Sequence, residues 1–152
     1  MASNYLKKKP YTLLQQKVAL KANYKDSDCV IENKKLVWCG KVKPTAFSKE
    51  YNVMVTYKMF ESPKIWVIGE ELEQLDNSDF PHNYRVEPEN KMVRICLYRY
   101  AEFSKYKLLA KTIIPWTIEW LYFYELWLAT GEWLGGGQHP SKEKVEDVNS
   151  EL

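Results

Sequence analysis

The hydrophobic pattern of the first twenty-two residues predicts a short amphipathic helix. Apolar residues recur at helical spacing over Tyr11–Ala22, with Gln and Lys between them. These apolar positions are Leu13, Leu14, Val18, Ala19 and Leu20. The cluster Lys25-Asp26-Ser27-Asp28 is typical of a turn and ends the predicted helix.

Three strands are predicted next. Leu36–Val42 is an apolar run, and Tyr51–Tyr57 alternates apolar and polar positions with the clearest period of two in the chain. Ile65–Ile68 is apolar at every position, which indicates a strand covered on both faces and therefore central. Because the connections are short, an antiparallel meander is expected.

An irregular surface loop is predicted over Gly69–Glu89, which is acidic and contains two prolines. This loop would carry His82 and Asn83 to the start of a further strand, Met92–Tyr98. Cys96 lies inside that last apolar and aromatic strand.

The second half of the chain contains a strongly aromatic helix. Pro115 fits a first helical turn, where its missing N–H costs nothing, and Gly131 fits the end of the helix. One helical face would carry Trp116, Trp120, Phe123 and Trp127. The element order predicts an α+β fold: one domain over residues 1–137, followed by a polar, flexible tail over residues 138–152.

Composition narrows the class of protein. The chain has 152 residues, of which 45% are hydrophobic and 28% charged, which describes a single globular domain. The net charge of +2, with acidic residues mixed among the basic ones, argues against a nucleic-acid partner. Acidic residues at Glu119, Glu125 and Glu132 interrupt the Trp-rich segment, so no membrane span is expected.

The cysteine and glycine patterns argue against a bound cofactor. Cys29, Cys39 and Cys96 lack the short spacing of a zinc site, and no glycine-rich phosphate loop joins a strand to a helix. Met1–Pro10 contains no apolar stretch, so the simplest expectation is a cytoplasmic protein with free thiols.

Cys96 is the principal candidate for chemistry. A free cysteine in a strand is most often a small buried hydrophobe, whereas a nucleophile requires nearby positive charge, hydrogen-bond donors or an imidazole. Arg94 would point to the same face of the strand as Cys96. His82 could act as a general base or support an oxyanion, Asn83 could supply the oxyanion donor instead, and both could equally be structural loop residues.

These segments resemble the ubiquitin-conjugating enzymes. The run Pro81-His82-Asn83-Tyr84 precedes Arg94-Ile95-Cys96-Leu97-Tyr98, where that family places a His-Pro-Asn loop before its catalytic cysteine. The order here is Pro-His-Asn, and the interval between loop and cysteine is longer. With the later Pro115-Trp116-Thr117 and Thr130–Trp133 segments, the chain is closer to the prokaryotic branch found in bacterial anti-phage (CBASS) operons.

The resemblance implies both a fold and an activity. The fold would be an antiparallel meander flanked by an amino-terminal helix and carboxy-terminal helices. Cys96 would form a thioester with the carboxy-terminal glycine of a cGAS/DncV-like nucleotidyltransferase and promote its conjugation to a lysine, which would regulate cyclic-nucleotide signalling. His82 would support the transfer, and Asn83 is a second candidate. A separate activating enzyme would charge Cys96, unless the compact form of the operon works without one.

Two other functions remain open at this stage. The same fold could serve as a non-catalytic module that binds a partner. Alternatively, Cys96 could be a redox-sensing thiol if the fold brought Cys39 close to it.

Overall fold

The computed structural model describes residues 7–97 and 99–136. The elements in chain order are α1 (Leu13–Asn23), β1 (Asp28–Glu32), β2 (Lys35–Val42), β3 (Tyr51–Tyr57), β4 (Lys64–Ile68), β5 (Asn83–Glu87), β6 (Met92–Ile95), the 3-10 turns Tyr100–Glu102 and Leu109–Lys111, and α2 (Ile113–Thr130). This arrangement is the expected α+β, ubiquitin-conjugating-enzyme-like fold. The predicted tail at 138–152 lies outside the described residues.

Helix α1 begins at a reciprocal cap. The Thr12 hydroxyl accepts the Gln15 N–H at 3.1 Å, and the Gln15 side chain accepts the Thr12 N–H at 2.9 Å. The helix spans Leu13–Asn23, close to the predicted range. Its predicted apolar face is wrong in part, because Leu14 and Val18 are exposed and the buried side chains are Gln16 and Leu20.

Gln16 is buried because its side-chain amide hydrogen-bonds to backbone groups of a loop that is distant in sequence. It donates to the Lys107 carbonyl and accepts the Leu109 N–H, both at 2.8 Å. A polar side chain is accommodated at this buried position because both ends of its amide are hydrogen-bonded.

The strands form one six-stranded antiparallel sheet in the order β1-β2-β3-β4-β6-β5. The predicted strands at Leu36–Val42, Tyr51–Tyr57 and Ile65–Ile68 are confirmed, and β4 is central as expected. The expected three-stranded meander β2-β3-β4 is extended by β1 on one side and by β6, followed by β5, on the other.

Two other expectations need correction. The predicted irregular loop Gly69–Glu89 contains β5 at Asn83–Glu87, which pairs with β6. The predicted strand Met92–Tyr98 ends at Ile95, so Cys96 lies one residue beyond it; Tyr98 lies outside the described residues. The thiol is therefore at a strand end and not within a strand.

The two faces of the sheet differ. The core face carries Tyr51, Val53, Val55 and Tyr57, all buried, and Tyr51 packs edge-on against Tyr124 of α2 at 6.2 Å between ring centroids. The opposite, outer face carries Met54, Trp66 and Arg94, which are register partners on β3, β4 and β6.

Helix α2 spans Ile113–Thr130, with Pro115 in its first turn. Gly131 ends it in the left-handed conformation at φ 77°, where its N–H reaches the Trp127 carbonyl at 2.8 Å. Of the predicted aromatic face, Trp120 and Trp127 are buried, whereas Trp116 and Phe123 are half-buried. In the part of the chain that the structure describes, α2 is the one α-helix that follows the sheet.

Phe80 anchors the loop that leads to β5. Its ring is 2% exposed and lies against three rings of α2: Trp120 at 6.3 Å, Tyr124 at 5.5 Å and Trp127 at 5.5 Å. Because Phe80 directly precedes Pro81 and His82, this aromatic contact fixes the loop against the helix.

Candidate active site

Cys96 and His82 are joined through their backbones. The Cys96 N–H donates to the His82 carbonyl at 2.9 Å, which continues the β5–β6 pairing one residue past the Asn83↔Ile95 pair. The sequence left open whether the loop brings His82 to the cysteine, and the structure places these two residues side by side. The Cys96 side chain is half-buried.

His82 is held on several sides. Its φ of 35° lies in the left-handed region, which costs roughly 1–2 kcal/mol for an ordinary residue. Its ring is buried and stacks on Trp133 at 4.7 Å. Its carbonyl also accepts the Trp120 indole N–H at 3.1 Å. These contacts fix a strained backbone next to the thiol.

Trp133 reaches His82 because the chain turns back after α2. The left-handed Gly131 redirects the segment 131–136 along the helix, where Trp133 also approaches Trp120 at 5.6 Å and Phe123 at 6.0 Å. The hydrophobic periodicity of residues 113–130 does not predict that Trp133, which follows the helix, contacts the loop that carries His82. The contact between Trp133 and His82 was therefore not predicted from the sequence.

Asn83 has a structural hydrogen bond. It is 2% exposed, and its Nδ2 donates to the Phe80 carbonyl at 2.8 Å. Within residues 7–97 and 99–136, its Oδ1 is buried without a hydrogen-bond partner. An amide nitrogen carries two hydrogens, so one remains after the bond to Phe80. Asn83 therefore has a structural role in the loop that is independent of any catalytic role.

The Cys96 thiol contacts Tyr84, to which the sequence had assigned no role. The Tyr84 hydroxyl hydrogen-bonds to Cys96, and the Arg94 guanidinium carbon lies 4.8 Å from the centroid of the Tyr84 ring. Burial raises the pKa of Cys96 above its ordinary value, while the Tyr84 hydrogen bond and the Arg94 charge act to lower that pKa. The positive charge and the donor that a reactive thiolate needs are thus both present.

Sequence periodicity gives no signal for Tyr84. The register pairs Asn83 with Ile95 and Arg85 with Arg94, so Tyr84 is the extra residue of a bulge in β5. The charge of Arg94 acts on the Cys96 thiol, which agrees with the expectation that the two side chains share a face.

Cys39 does not lie near Cys96. Cys39 is on β2 and Cys96 follows β6, with β3 and β4 between them in the sheet. Three inter-strand spacings amount to about 14 Å, well beyond the Cα separation of a disulfide. Cys29 is on β1, farther still. The structure thus argues against a redox pair formed by Cys96 and Cys39.

A shallow cavity of about 20 Å³ lies beside the site, lined by residues that include Trp120, Trp133 and Arg99. Among the described residues, no group of three or more His, Cys, Asp or Glu side chains is arranged to hold a metal ion. Across those same residues, no helix is long and apolar enough to cross a membrane.

Fold and site together define an E2-like domain: a helix, an antiparallel sheet, a histidine-bearing loop and a cysteine just beyond the last strand. The chain matches the family described as type II CBASS E2 protein over residues 16–140, and it belongs to that family. A comparison with curated proteins found no match. The family membership places the protein among the E2-like components of anti-phage CBASS systems.

Proposed function

We propose that the protein is a cysteine-dependent conjugating enzyme that carries the carboxy terminus of a partner protein as a thioester on Cys96. The partner would be a cGAS/DncV-like nucleotidyltransferase, and the final product an amide between its carboxy-terminal glycine and a lysine. Conjugation would regulate the cyclic-nucleotide signal of the anti-phage response.

The observation that supports this proposal most directly is the setting of Cys96 in a chain of this family. The thiol lies just past β6, is half-buried, and is adjacent to the His82 backbone and the Tyr84 hydroxyl. The other two cysteines, Cys29 and Cys39, lie on β1 and β2 at the far side of the sheet. Of these three thiols, Cys96 is the one that lies next to the candidate histidine and a tyrosine hydroxyl.

The chemistry takes two steps. In the first, the Cys96 thiol loses its proton and its sulfur attacks the carbonyl carbon of an activated acyl donor, such as an acyl adenylate, whose leaving group departs. In the second, a lysine amine attacks the thioester carbonyl, the amine loses a proton, and the C–S bond breaks to return the thiolate. A free carboxylate lacks a good leaving group, so charging depends on activation by a separate enzyme or by the partner.

His82 would support the transfer step. Its ring stacks on Trp133 and its backbone carbonyl accepts the Cys96 N–H, so the proposal requires the imidazole to reach the thioester from this fixed backbone. Such a group acts as a general base toward the incoming amine or as a donor to the oxyanion. Asn83 stands as the second candidate for the oxyanion donor, through the amide hydrogen that Phe80 leaves unused.

A non-catalytic partner-binding module is the second candidate function. The observation in its favour is that burial raises the pKa of Cys96, which keeps the thiol largely protonated near neutral pH. In this case the fold would dock a partner without any covalent step.

The test is intact mass after co-expression with the operon partners, on wild type and on Cys96→Ser, Cys96→Ala and Cys39→Ser variants. Wild type and Cys39→Ser should carry an adduct that hydroxylamine releases, which separates a thioester from a disulfide. Cys96→Ser should trap an oxyester, and Cys96→Ala should carry nothing on this residue. An adduct that persists in Cys96→Ala would overturn the proposal that Cys96 is the nucleophile. No adduct in wild type, together with phage defence retained in Cys96→Ala, would favour the binding module.

A further inference from the structure

The register of β5 against β6 places Tyr84 beside the reacting sulfur. Asn83 pairs with Ile95, and Arg85 pairs with Arg94, so the pairing shifts by one residue between Asn83 and Arg85. Tyr84 is the extra residue of this irregularity. Such a bulge redirects a side chain that a regular ladder would hold elsewhere.

The Tyr84 side chain bridges two residues of the neighbouring chain segment. Its ring lies under the Arg94 guanidinium at 4.8 Å, and its hydroxyl hydrogen-bonds to Cys96. Arg94 is 9% exposed, and its register partner on β4, Trp66, is 5% exposed. The cation is thus enclosed on the outer face of the sheet, where its charge is less screened than at an open surface.

The protonation states of the two groups assign their roles. Burial, followed by the hydrogen bond to Cys96 and the interaction with its charge, raises the pKa of Tyr84 to about 12. Tyr84 therefore keeps its proton at neutral pH and acts as a donor, not as a base. A hydroxyl that donates to sulfur stabilises the thiolate more than the thiol, because hydrogen bonds to charged acceptors are the stronger ones.

We propose that Tyr84 is a catalytic hydrogen-bond donor that stabilises the Cys96 thiolate both when it attacks the acyl donor and when it leaves the thioester. Arg94 is the positioning residue: it holds the Tyr84 ring and supplies the positive charge. No proton is transferred between Tyr84 and Cys96 in this scheme. The role in acyl transfer rests on the proposed function, whereas the stabilisation of the thiolate does not.

The experiment follows alkylation of Cys96 by iodoacetamide against pH in the purified protein, read by mass spectrometry of the peptide that contains Cys96. Tyr84→Phe removes the hydroxyl and keeps the ring. The midpoint of the Cys96 profile should rise by about one pH unit, which is what loss of a hydrogen bond to a charged group gives. At a fixed pH below both midpoints the rate should fall about threefold, since the more basic thiolate is also more nucleophilic.

Tyr122→Phe is the matched control, because Tyr122 is 42% exposed on α2; its profile should coincide with that of wild type. Arg94→Gln provides a second variant and should also raise the midpoint. The proposal is overturned if Tyr84→Phe remains folded by circular dichroism and does not move the midpoint, whether or not Arg94→Gln moves it. It is equally overturned if Tyr122→Phe moves the midpoint as far as Tyr84→Phe does.

Co-expression with the partner then separates this proposal from the proposed function. If wild type forms a thioester, Tyr84→Phe should accumulate it at least threefold more slowly. If wild type forms none but the alkylation midpoint still depends on Tyr84, the conjugating function fails and the stabilisation of the thiolate stands.

Discussion

The backbone N–H of Cys96 donates to the carbonyl of His82 at 2.9 Å, and the same carbonyl accepts the indole N–H of Trp120 at 3.1 Å. One oxygen thus ties the candidate nucleophile, the histidine loop and helix α2 together. The positions of Cys96 and His82 relative to each other therefore depend on contacts with helix α2 as well as on strand pairing.

Replacing Trp120 by Phe tests this connection. The variant keeps an aromatic ring in a buried position but removes the N–H donor, so the free energy of unfolding should fall by about 1–3 kcal/mol. Hydrogen exchange at the Cys96 amide should become faster, because the His82 carbonyl loses one of its two supports. Urea unfolding followed by circular dichroism measures the first effect. The half-buried Trp116→Phe is the control, and equal effects in both variants would contradict the prediction.

Asn83 provides a second prediction, which tests its structural role in the loop. Asn83→Ala leaves the buried Phe80 carbonyl without its donor and should lower the free energy of unfolding by about 1–3 kcal/mol. Asn83→Asp places a buried carboxylate there, which accepts but does not donate when ionised. Its destabilisation should therefore shrink as the pH is lowered from 7 to 5, because protonation restores a donor. A loss of stability in Asn83→Asp that is the same at pH 7 and pH 5 would contradict this prediction.

The strands with strong alternation were predictable from sequence, and the elements that build the site were not. Tyr51–Tyr57 is visible because one face is buried along its whole length. β5 is hidden because Asn83–Glu87 lies in an acidic segment and only its first residue is fully buried. Strand β5 forms because it pairs with β6. This pairing is a tertiary interaction, which the alternation of apolar and polar residues within one segment does not reveal.

The same reasoning explains which site residues could be predicted from the sequence. Cys96 and His82 could be chosen as candidates because a thiol and an imidazole are reactive side chains. Tyr84 and Trp133 carry ordinary aromatic side chains, and their importance arises from a bulge at Tyr84 and from the turn at Gly131. Positions of this kind become visible only when the register and the path of the backbone are known.

Trp133 is the subject of a third prediction. Trp133→Ala removes the ring that stacks on His82 at 4.7 Å and should cost about 1–3 kcal/mol of stability, with a clear shift of the His82 ring resonances in the proton NMR spectrum. Trp133→Phe should retain most of the stability. Phe47→Ala serves as the control, since Phe47 is fully exposed and should change stability by less than about 0.5 kcal/mol. Unchanged His82 resonances in Trp133→Ala would refute the stacking.

The separation of the cysteines gives a fourth prediction. Because two strands lie between Cys39 and Cys96, diamide treatment of the folded protein should not produce an intramolecular disulfide between them. Peptide mapping after alkylation under non-reducing conditions checks this. The exposed Cys39 should be alkylated before the buried Cys29. A Cys39–Cys96 disulfide formed under native conditions would revive the redox function.

Alkaline pH should unfold the protein through its buried tyrosines. Tyr124 is fully buried; its hydroxyl donates to the Glu73 carbonyl at 2.9 Å and accepts the Glu73 N–H at 2.8 Å. Burial raises the pKa of Tyr124 to about 12, with the Glu73 and Glu125 charges acting in the same direction. In the unfolded chain a tyrosine ionises near its ordinary pKa of about 10.

Between these two values the unfolded state binds fewer protons than the folded state. The contribution of Tyr124 to the free energy of unfolding is therefore constant below about pH 10 and falls as the pH rises toward 12. Tyr124→Phe should lower stability at pH 8 by about 1–2 kcal/mol through the lost hydrogen bonds, yet show a shallower decline above pH 10. Urea unfolding at several pH values measures both effects, with Tyr122→Phe on the exposed side of α2 as the control. A decline as steep in Tyr124→Phe as in wild type would assign the alkaline transition to other groups.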